Sequence, residues 1–487
     1  MKDVSERHGV KEKPPYTKLK NVEILLVFLL LVFASLMIAL PNFLRESNLL
    51  IGGEAYHYMR LAETPLNIHD NLSYAGRTII FNLYPSIIYL FSHVFGFTYF
   101  LSSKMLPFVL GLVSVLLFYI ILRKLKLRVR DSLIVGLILI FSPTFIYLFS
   151  TSNLYVFPVV FGLIAFLLLL YDKKILSLIF ILLSFFFSIV PGIALLLLYL
   201  LYLFRESKTR WFIIPIIILV SIVLYLIKGI FPFGLEFFIQ QEGIRYSMQN
   251  FVSDLGGKFG LGIFAIILSV LGMIRLWREK YNNLIVYSAV FLLLILSFFE
   301  IRTLFYFIFM FSFLVASGIF YLFELNFESK FIKQFSIFVL IMGLFFSGLS
   351  YVNEIRTYLP NEGMLKGLDD FESLSDPEVI VFSHYSRGFW ISGLANRAVV
   401  MDADFIFAPD SKERYKDSET LFNTRDLNAA MKLLDKYNVD YILFDQAIKE
   451  TLWEGDEEGL LFLLKYSERF KKVYNDNGLE VWKVIRE

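Results

Sequence analysis

From residue 22 to about residue 350, long apolar runs alternate with short polar breaks; beyond that the pattern changes. The runs cover 22–40, 104–122, 131–149, 156–171, 175–190, 192–204, 211–228, 259–274, 284–299, 303–323 and 334–351. A stretch of about 20 apolar residues crosses a bilayer as a helix, so the pattern predicts about eleven transmembrane helices. Pro191-Gly192 divides the run from Ile175 to Phe204, which is read as a hairpin. After the last run, residues 379–382, 398–401 and 439–444 have the apolar character of buried strands. Residues 425–437 and 457–466 have helical spacing, and 475–478 turns a hairpin into 479–485. Strands alternating with helices predict a soluble α/β domain over 352–487.

The polar breaks give an orientation. Arg123 to Arg130, Asp172-Lys173-Lys174, Arg205 to Arg210, Arg275 to Lys280 and Lys330 to Lys333 fall on alternate breaks. Basic loops stay in the cytoplasm, which puts the polar tail 1–21 inside and makes 22–40 a retained signal anchor. Merging the two short runs would move the later basic loops outside, so the hairpin is preferred. Three segments of the chain are then extracytoplasmic: loop 42–103, loop 229–258 and the domain 352–487. Within the first, Tyr84-Pro85 to Phe97 is amphipathic and predicted to lie along the membrane surface.

Composition supports a membrane protein. Of 487 residues, 57% are hydrophobic and 18% charged, with 54 Phe and 27 Tyr, more apolar surface than a soluble chain could cover. The net charge of +2 points to no nucleic acid. The absence of Cys excludes disulfides, thiolate metal sites and thiol nucleophiles.

Charges at the outer membrane face are few, so each is a candidate for chemistry. Glu54 and Arg60 follow the first span, with His57, His69, Asp70 and Arg77 further along the same loop. Glu242 lies in the second outer loop, and Glu300 and Arg302 in the tight turn before the tenth run. The plain alternative for each is a solvated or salt-bridged loop residue. The chemical reading is a lipid-anchored phosphate donor: arginine presents a planar fork to phosphate oxygens, and a carboxylate takes an acceptor proton or holds a cation. A transporter would also carry membrane charges, but the long outer loop and outer domain fit one poorly.

Several motifs resemble the GT-C superfamily of membrane glycosyltransferases, nearest the oligosaccharyltransferase catalytic-subunit family. Glu54-Ala55-Tyr56-His57-Tyr58-Met59-Arg60 resembles that family's first acidic motif, Asp-Pro-Trp-Phe-Asn-Tyr-Arg, at both ends. Glu242-Gly243 with Asp254-Leu255-Gly256 resembles its outer-loop glutamate motif, and Arg302 before Phe305-Tyr306-Phe307 its donor-gripping arginine. Gly388-Phe389-Trp390-Ile391, Ala395-Asn396-Arg397 and Asp402 resemble the region of its Trp-Trp-Asp-Tyr-Gly motif. Two motifs depart: His384-Tyr385-Ser386-Arg387-Gly388 has Ser386 where the family has Asp, and the expected second acidic motif reads Ser150-Thr151-Ser152-Asn153-Leu154-Tyr155, without a carboxylate.

The resemblance implies a polytopic helical GT-C-like domain over 22–351. It implies an enzyme moving a sugar or oligosaccharide from a polyprenyl- or dolichyl-phosphate carrier to a protein or glycan acceptor on the outer face. Glu54 would be base or metal ligand and Glu242 an acceptor or metal contact. Arg302 would hold the donor phosphate; Arg60 would join it and orient Glu54. Trp390, Tyr385 and Ser386 would face the acceptor. Glu54 and Glu242 would carry any Mg2+ or Mn2+; the metal-independent scheme of the branches using lipid monophosphate donors is the other course. The lost motifs leave two alternatives: an inactive relative that binds polyprenyl lipid or scaffolds a complex, and a lipid-linked-sugar flippase.

Overall fold

A computed structural model describes residues 21–45, 49–65, 69–78, 83–205, 251–257, 259–278, 281, 283–455, 457–476 and 478–486. The first apolar run forms α1 (Asn21–Phe43). Val22, Leu25, Phe28 and Leu36 are exposed along it, while Leu30, Ala34, Met37 and Ile38 pack inward. A helix in lipid satisfies its own backbone, so apolar side chains on every face cost nothing there. Next come α2 (Gly53–Glu63), a two-strand ribbon of β1 (His69–Asp70) and β2 (Arg77–Thr78), and α3 (Tyr84–Phe95). The exposed Leu90, Val94 and Phe95 of α3 suit the predicted surface helix.

Helices α4 (Tyr99–Lys124), α5 (Val129–Ile140), α6 (Pro143–Ser150), α7 (Val156–Leu170), α8 (Lys174–Ser184) and α9 (Ile189–Arg205) follow. The run expected as one span over 131–149 is a broken pair: α5 and α6 meet at a 68° bend. Pro143 opens α6, where its missing N–H is harmless, and its ring prevents α5 from running on. The α8–α9 hairpin forms, but its break lies at 185–188, before Pro191, which is tolerated in the first turn of α9. The run expected over 211–228 lies outside the described residues.

The chain resumes with α10 (Ile263–Trp277), α11 (Leu284–Phe299), α12 (Leu304–Glu324) and α13 (Lys330–Ile355). Among the described residues, four helices (α1, α4, α12 with the turn before it, and α13) are long and apolar enough to cross a bilayer, five with the bent pair. The other apolar helices, α7 to α11, are shorter. α12 is the central post, 83% buried in its apolar window, whereas α13 exposes Phe331, Phe335, Phe338 and Phe346. α13 continues to Ile355, beyond the boundary expected at 351.

α10 and α12 cross at backbone contact. A Cβ on Gly272 would lie 1.9 Å from the Leu314 carbonyl oxygen, and one on Gly318 1.9 Å from that of Leu268. This reciprocal small-residue seam lets two helices pack in lipid, where no hydrophobic driving force joins them. Gly318→Ala is therefore expected to cost about 2 kcal/mol, read from the SDS-unfolding midpoint in mixed micelles. An unchanged midpoint would mean that the crossing is looser than described.

Beyond α13 lies a sheet of order β4-β3-β5-β7-β6. Its strands are β3 (Ile380–Phe382), β4 (Ala398–Val399), β5 (Tyr441–Asp445), β6 (Phe470–Asp476) and β7 (Leu479–Val484). β3 is parallel to β4 and β5, while β7 is antiparallel to β5 and β6. Helices α14 (Glu362–Leu374), α15 (Gly388–Leu394), α16 (Ser411–Asn423), α17 (Leu427–Lys436), α18 (Gln446–Leu452) and α19 (Gly459–Tyr466) surround it. Leu50, Ala55 and Tyr56 share one core with Leu368, Trp390, Val399 and Val481. The ribbon's turn also pairs with the sheet edge: Val399 N donates to Leu72 O and Tyr74 N to Val399 O, each at 2.9 Å. These contacts fix α2 against the sheet.

Candidate active site

Glu54 sits in the first turn of α2, where a negative side chain faces the positive end of the helix. Gly52 enters that turn with φ +86°, a backbone angle that suits glycine. Arg302 reaches the same point from the turn Ile301–Thr303 that opens α12. Its Nη2 is 4.0 Å from Glu54 Oε1, and its Nε 3.7 Å from Glu300 Oε1. Its Nη1 donates to the Tyr155 hydroxyl at 2.6 Å. Tyr155 closes the segment expected to carry a second acidic motif, so a phenol from that segment now bears on the arginine. The neighbouring Ser152 hydroxyl shares a 2.9 Å hydrogen bond with Tyr84 OH. Arg302 keeps 43% and Glu54 33% of their side-chain surface accessible, so an open guanidinium edge and an open carboxylate stand side by side.

Arg60 belongs to a different cluster. Six residues along a helix turn through about 600°, which leaves Glu54 and Arg60 roughly 120° apart around α2. The Arg60 guanidinium is committed to both Asp70 oxygens, at 2.9 and 2.8 Å, and neither orients Glu54 nor joins Arg302. Arg77, buried, also donates to Asp70 (2.8 Å) and pairs with Asp402. Burial raises the Asp70 carboxyl, but Arg77 and Arg60 overrule it and hold the group well below the usual carboxylate range. His57 stacks on Phe389 at 4.2 Å and touches Arg77 (3.1 Å) and Arg60 (3.3 Å). Burial and then the two guanidiniums push His57 well below its ordinary value, so the ring is neutral. A neutral imidazole has one lone pair, so only one of those two contacts is an accepted hydrogen bond. This cluster is a structural rivet between α2, the ribbon and the sheet. His69 heads the ribbon and is exposed.

The expected acceptor residues are not brought to Glu54 as a set. Trp390 is buried behind it: a Cβ on Gly53 would lie 3.1 Å from Trp390 Nε1. Arg387 covers the Trp390 ring at 4.9 Å and pairs with Asp445 at 2.6 Å. Tyr385 packs on His384 and Phe405, and the Ser386 hydroxyl bonds His384 Nδ1 at 2.7 Å in a local turn. Burial, then Arg387, lowers His384 to about 4. Glu242 lies outside the described residues.

Sequence reasoning passed over Asp404. It follows Asp402 by two, and its N–H donates to Asp402 Oδ1 at 2.9 Å, so the Arg77–Asp402 pair anchors it. Its half-buried carboxylate makes no hydrogen bond or ion pair among the described residues, yet it feels the charges of both Glu54 and Arg302. Burial, with Asp402 and Glu54, pushes it up to about 6 against the pull of Arg77 and Arg302. The signal was present as two acids at the end of an apolar strand, Met401-Asp402-Ala403-Asp404.

That elevation fixes a sign. An unfolded Asp titrates near 3.9, so between about 4 and 6 the folded chain holds a proton that the unfolded chain has released. Stability therefore falls as pH rises through that window, and the cost is complete above 6. Asp404→Asn should stabilise the protein by about 1–2 kcal/mol at pH 8, allowing for partial solvent screening, and by nothing at pH 4. Thermal unfolding in detergent at the two pH values checks this; an equal shift at both would contradict it.

Among the described residues no three acidic or imidazole side chains gather closely enough to hold a metal ion by themselves, and Glu242, expected to share one with Glu54, lies outside them. A small cleft at the α5–α6 bend, lined by Phe141, Ser142, Ile308 and Ser347 among others, is separate from the Glu54–Arg302 contact.

No protein-family model matches the chain, and no curated protein matches it. Solved structures do share its fold. The archaeal oligosaccharyltransferase AglB from Archaeoglobus fulgidus, in complex with an inhibitory peptide and a dolichol-phosphate, aligns at TM-score 0.58 and 12% identity, over 96% of this chain and 74% of that one. ArnT from Cupriavidus metallidurans, bound to undecaprenyl phosphate, aligns at 0.54 and 12%, over 95% and 98%. The mycobacterial arabinofuranosyltransferase AftD aligns at 0.59 and 13%, over 94% of this chain and 40% of that one. The fold is that of the GT-C glycosyltransferases, and the chain is a membrane protein.

Proposed function

We propose that this GT-C-fold protein is a glycosyltransferase that moves a sugar or oligosaccharide from a polyprenyl-phosphate carrier to a protein or glycan acceptor on the outer membrane face. The observation that carries this reading is the open Glu54–Arg302 contact, with Tyr155 and Glu300 holding the arginine. Arg302 binds the donor phosphate through its free edge. An acceptor hydroxyl or amide attacks the sugar's anomeric carbon and passes its proton to Glu54. The bond from that carbon to the phosphate oxygen breaks, and the electron pair stays with the carrier phosphate. Binding the phosphate beside the base also supplies orientation, which is a large part of any such barrier reduction.

The charge pattern supports the outward placement and the reading of about eleven crossings. Arg123 pairs with Glu23 at the start of α1, Lys124 lies 4.0 Å over Tyr171 after α7, and Arg275 pairs with Glu324 at the end of α12. These basic ends are a helix length from the Glu54 end of the bundle. With them in the cytoplasm, Glu54 and the sheet are outside.

The test supplies proteoliposomes containing the full chain with polyprenyl-phosphate-linked sugars and membrane-extract acceptors. New glycosidic product that depends on the chain is expected. Lipid-linked sugar bound without product would favour an inactive relative, and movement across the bilayer without product would favour a flippase.

A further inference from the structure

A guanidinium can only donate, so the 2.6 Å contact between Arg302 Nη1 and Tyr155 fixes the phenol oxygen as the acceptor. The phenol's own O–H is left over. It makes no other hydrogen bond among the described residues. A spare donor beside the open edge of Arg302 suits an anion.

We infer that the Tyr155 hydroxyl is itself a contact to the donor phosphate, a second hydrogen-bond donor beside Arg302 as well as a support for it. The inference rests on the phosphate reading of Arg302. Reach is one ground for it. A phosphate oxygen held by Arg302 lies about 2.8 Å from a guanidinium nitrogen. The hydroxyl stands 2.6 Å from Nη1 of the same group, so another oxygen of that phosphate comes within a hydrogen bond of it. Rigidity is the other. Tyr155 N donates to Asn153 Oδ1 at 3.0 Å, and Asn153 Nδ2 donates to Leu148 O (3.0 Å) and Thr151 Oγ1 (2.9 Å). Asn42 Nδ2 from α1 holds Ser150 O at 2.9 Å, so the whole turn is tied down. The ring lies against Phe305, centroids 5.7 Å apart, with the Arg302 guanidinium 5.1 Å from its centre. Tyr155 is buried, and its hydroxyl cannot swing out to bulk water. A phenol keeps its proton at neutral pH, so it supplies a donor without adding charge. Its bond strengthens as the leaving phosphate gains charge, and it therefore acts on turnover as well as on binding.

The experiment titrates undecaprenyl phosphate into the full-length protein in dodecyl maltoside at pH 7.5, for the wild type, Tyr155→Phe, Arg302→Met and the double variant. Phenylalanine keeps the ring against Phe305 and the backbone bond to Asn153. Y155F should weaken binding about fivefold in the wild-type background and still about threefold in the R302M background. A tyrosine that only steadied the arginine would lose its effect once the arginine was gone. That result, or wild-type affinity in Y155F, overturns the inference but keeps the phosphate site. Turnover at saturating donor is the second readout, and it decides where R302M binds too weakly to titrate. There kcat should fall about tenfold in Y155F; an unchanged kcat overturns the inference. Wild-type affinity in R302M, or no binding by the wild type, removes the phosphate reading itself and this inference with it.

Discussion

Glu54→Gln should lower sugar transfer by about a thousandfold. Glutamine keeps the length of the side chain and its place in the first turn of α2, so the helix, the Trp390 wedge beside Gly53 and the Asp70 rivet are undisturbed. The variant loses the ability to take a proton from the acceptor. It also loses a negative charge 4.0 Å from Arg302, so undecaprenyl phosphate should bind at least as tightly as to the wild type. The pair of readouts is diagnostic: turnover falls while carrier binding holds. Equal loss of both would show a damaged fold, and normal turnover would remove Glu54 from the chemistry.

Arg302→Met is expected to cost about a hundredfold or more in kcat/KM, with most of it in the donor KM. The guanidinium meets Tyr155, Glu300 and Glu54 with three different nitrogens and still has open surface. Lysine restores charge but not the fork, so Arg302→Lys should recover only part of the loss. Tyr155→Phe tests the support separately: it deletes one 2.6 Å hydrogen bond and should raise the donor KM by about three- to tenfold. A donor KM unchanged in Arg302→Met would exclude it as the phosphate contact.

The apolar periodicity made the helical bundle legible, because lipid demands that each membrane segment close its own backbone hydrogen bonds. It could not show where Pro143 bends a run into α5 and α6, since a proline at the start of a helix and one at a kink read alike. The motif resemblance named Glu54 and Arg302 as members of one site, and they stand 4.0 Å apart, whereas Arg60 was misassigned: six residues of helix carry it about 120° around α2 from Glu54 and onto Asp70. Asp70 was visible only as one more loop acid, and its partnership with Arg60 and Arg77 depends on the ribbon. Tyr155 escaped notice because long-range convergence leaves no local pattern, and Asp404 because two acids after an apolar strand do not show what they face. The parts played by Trp390, Tyr385 and Ser386 were hidden for the same reason: what the Gly388 region packs against is decided by the sheet and α2 together.

Because α2, which carries Glu54, packs against a sheet built from residues 380–484, and the Leu72–Tyr74 strap joins the sheet edge to the ribbon, a ribosome must nearly finish its work before α2 gains its full support. A nascent polypeptide already threaded into the bilayer would hold Glu54, Tyr155 and Arg302 without the sheet behind α2. A chain cut short by a late stop codon would thus leave α2, and Glu54 with it, without the sheet it packs against.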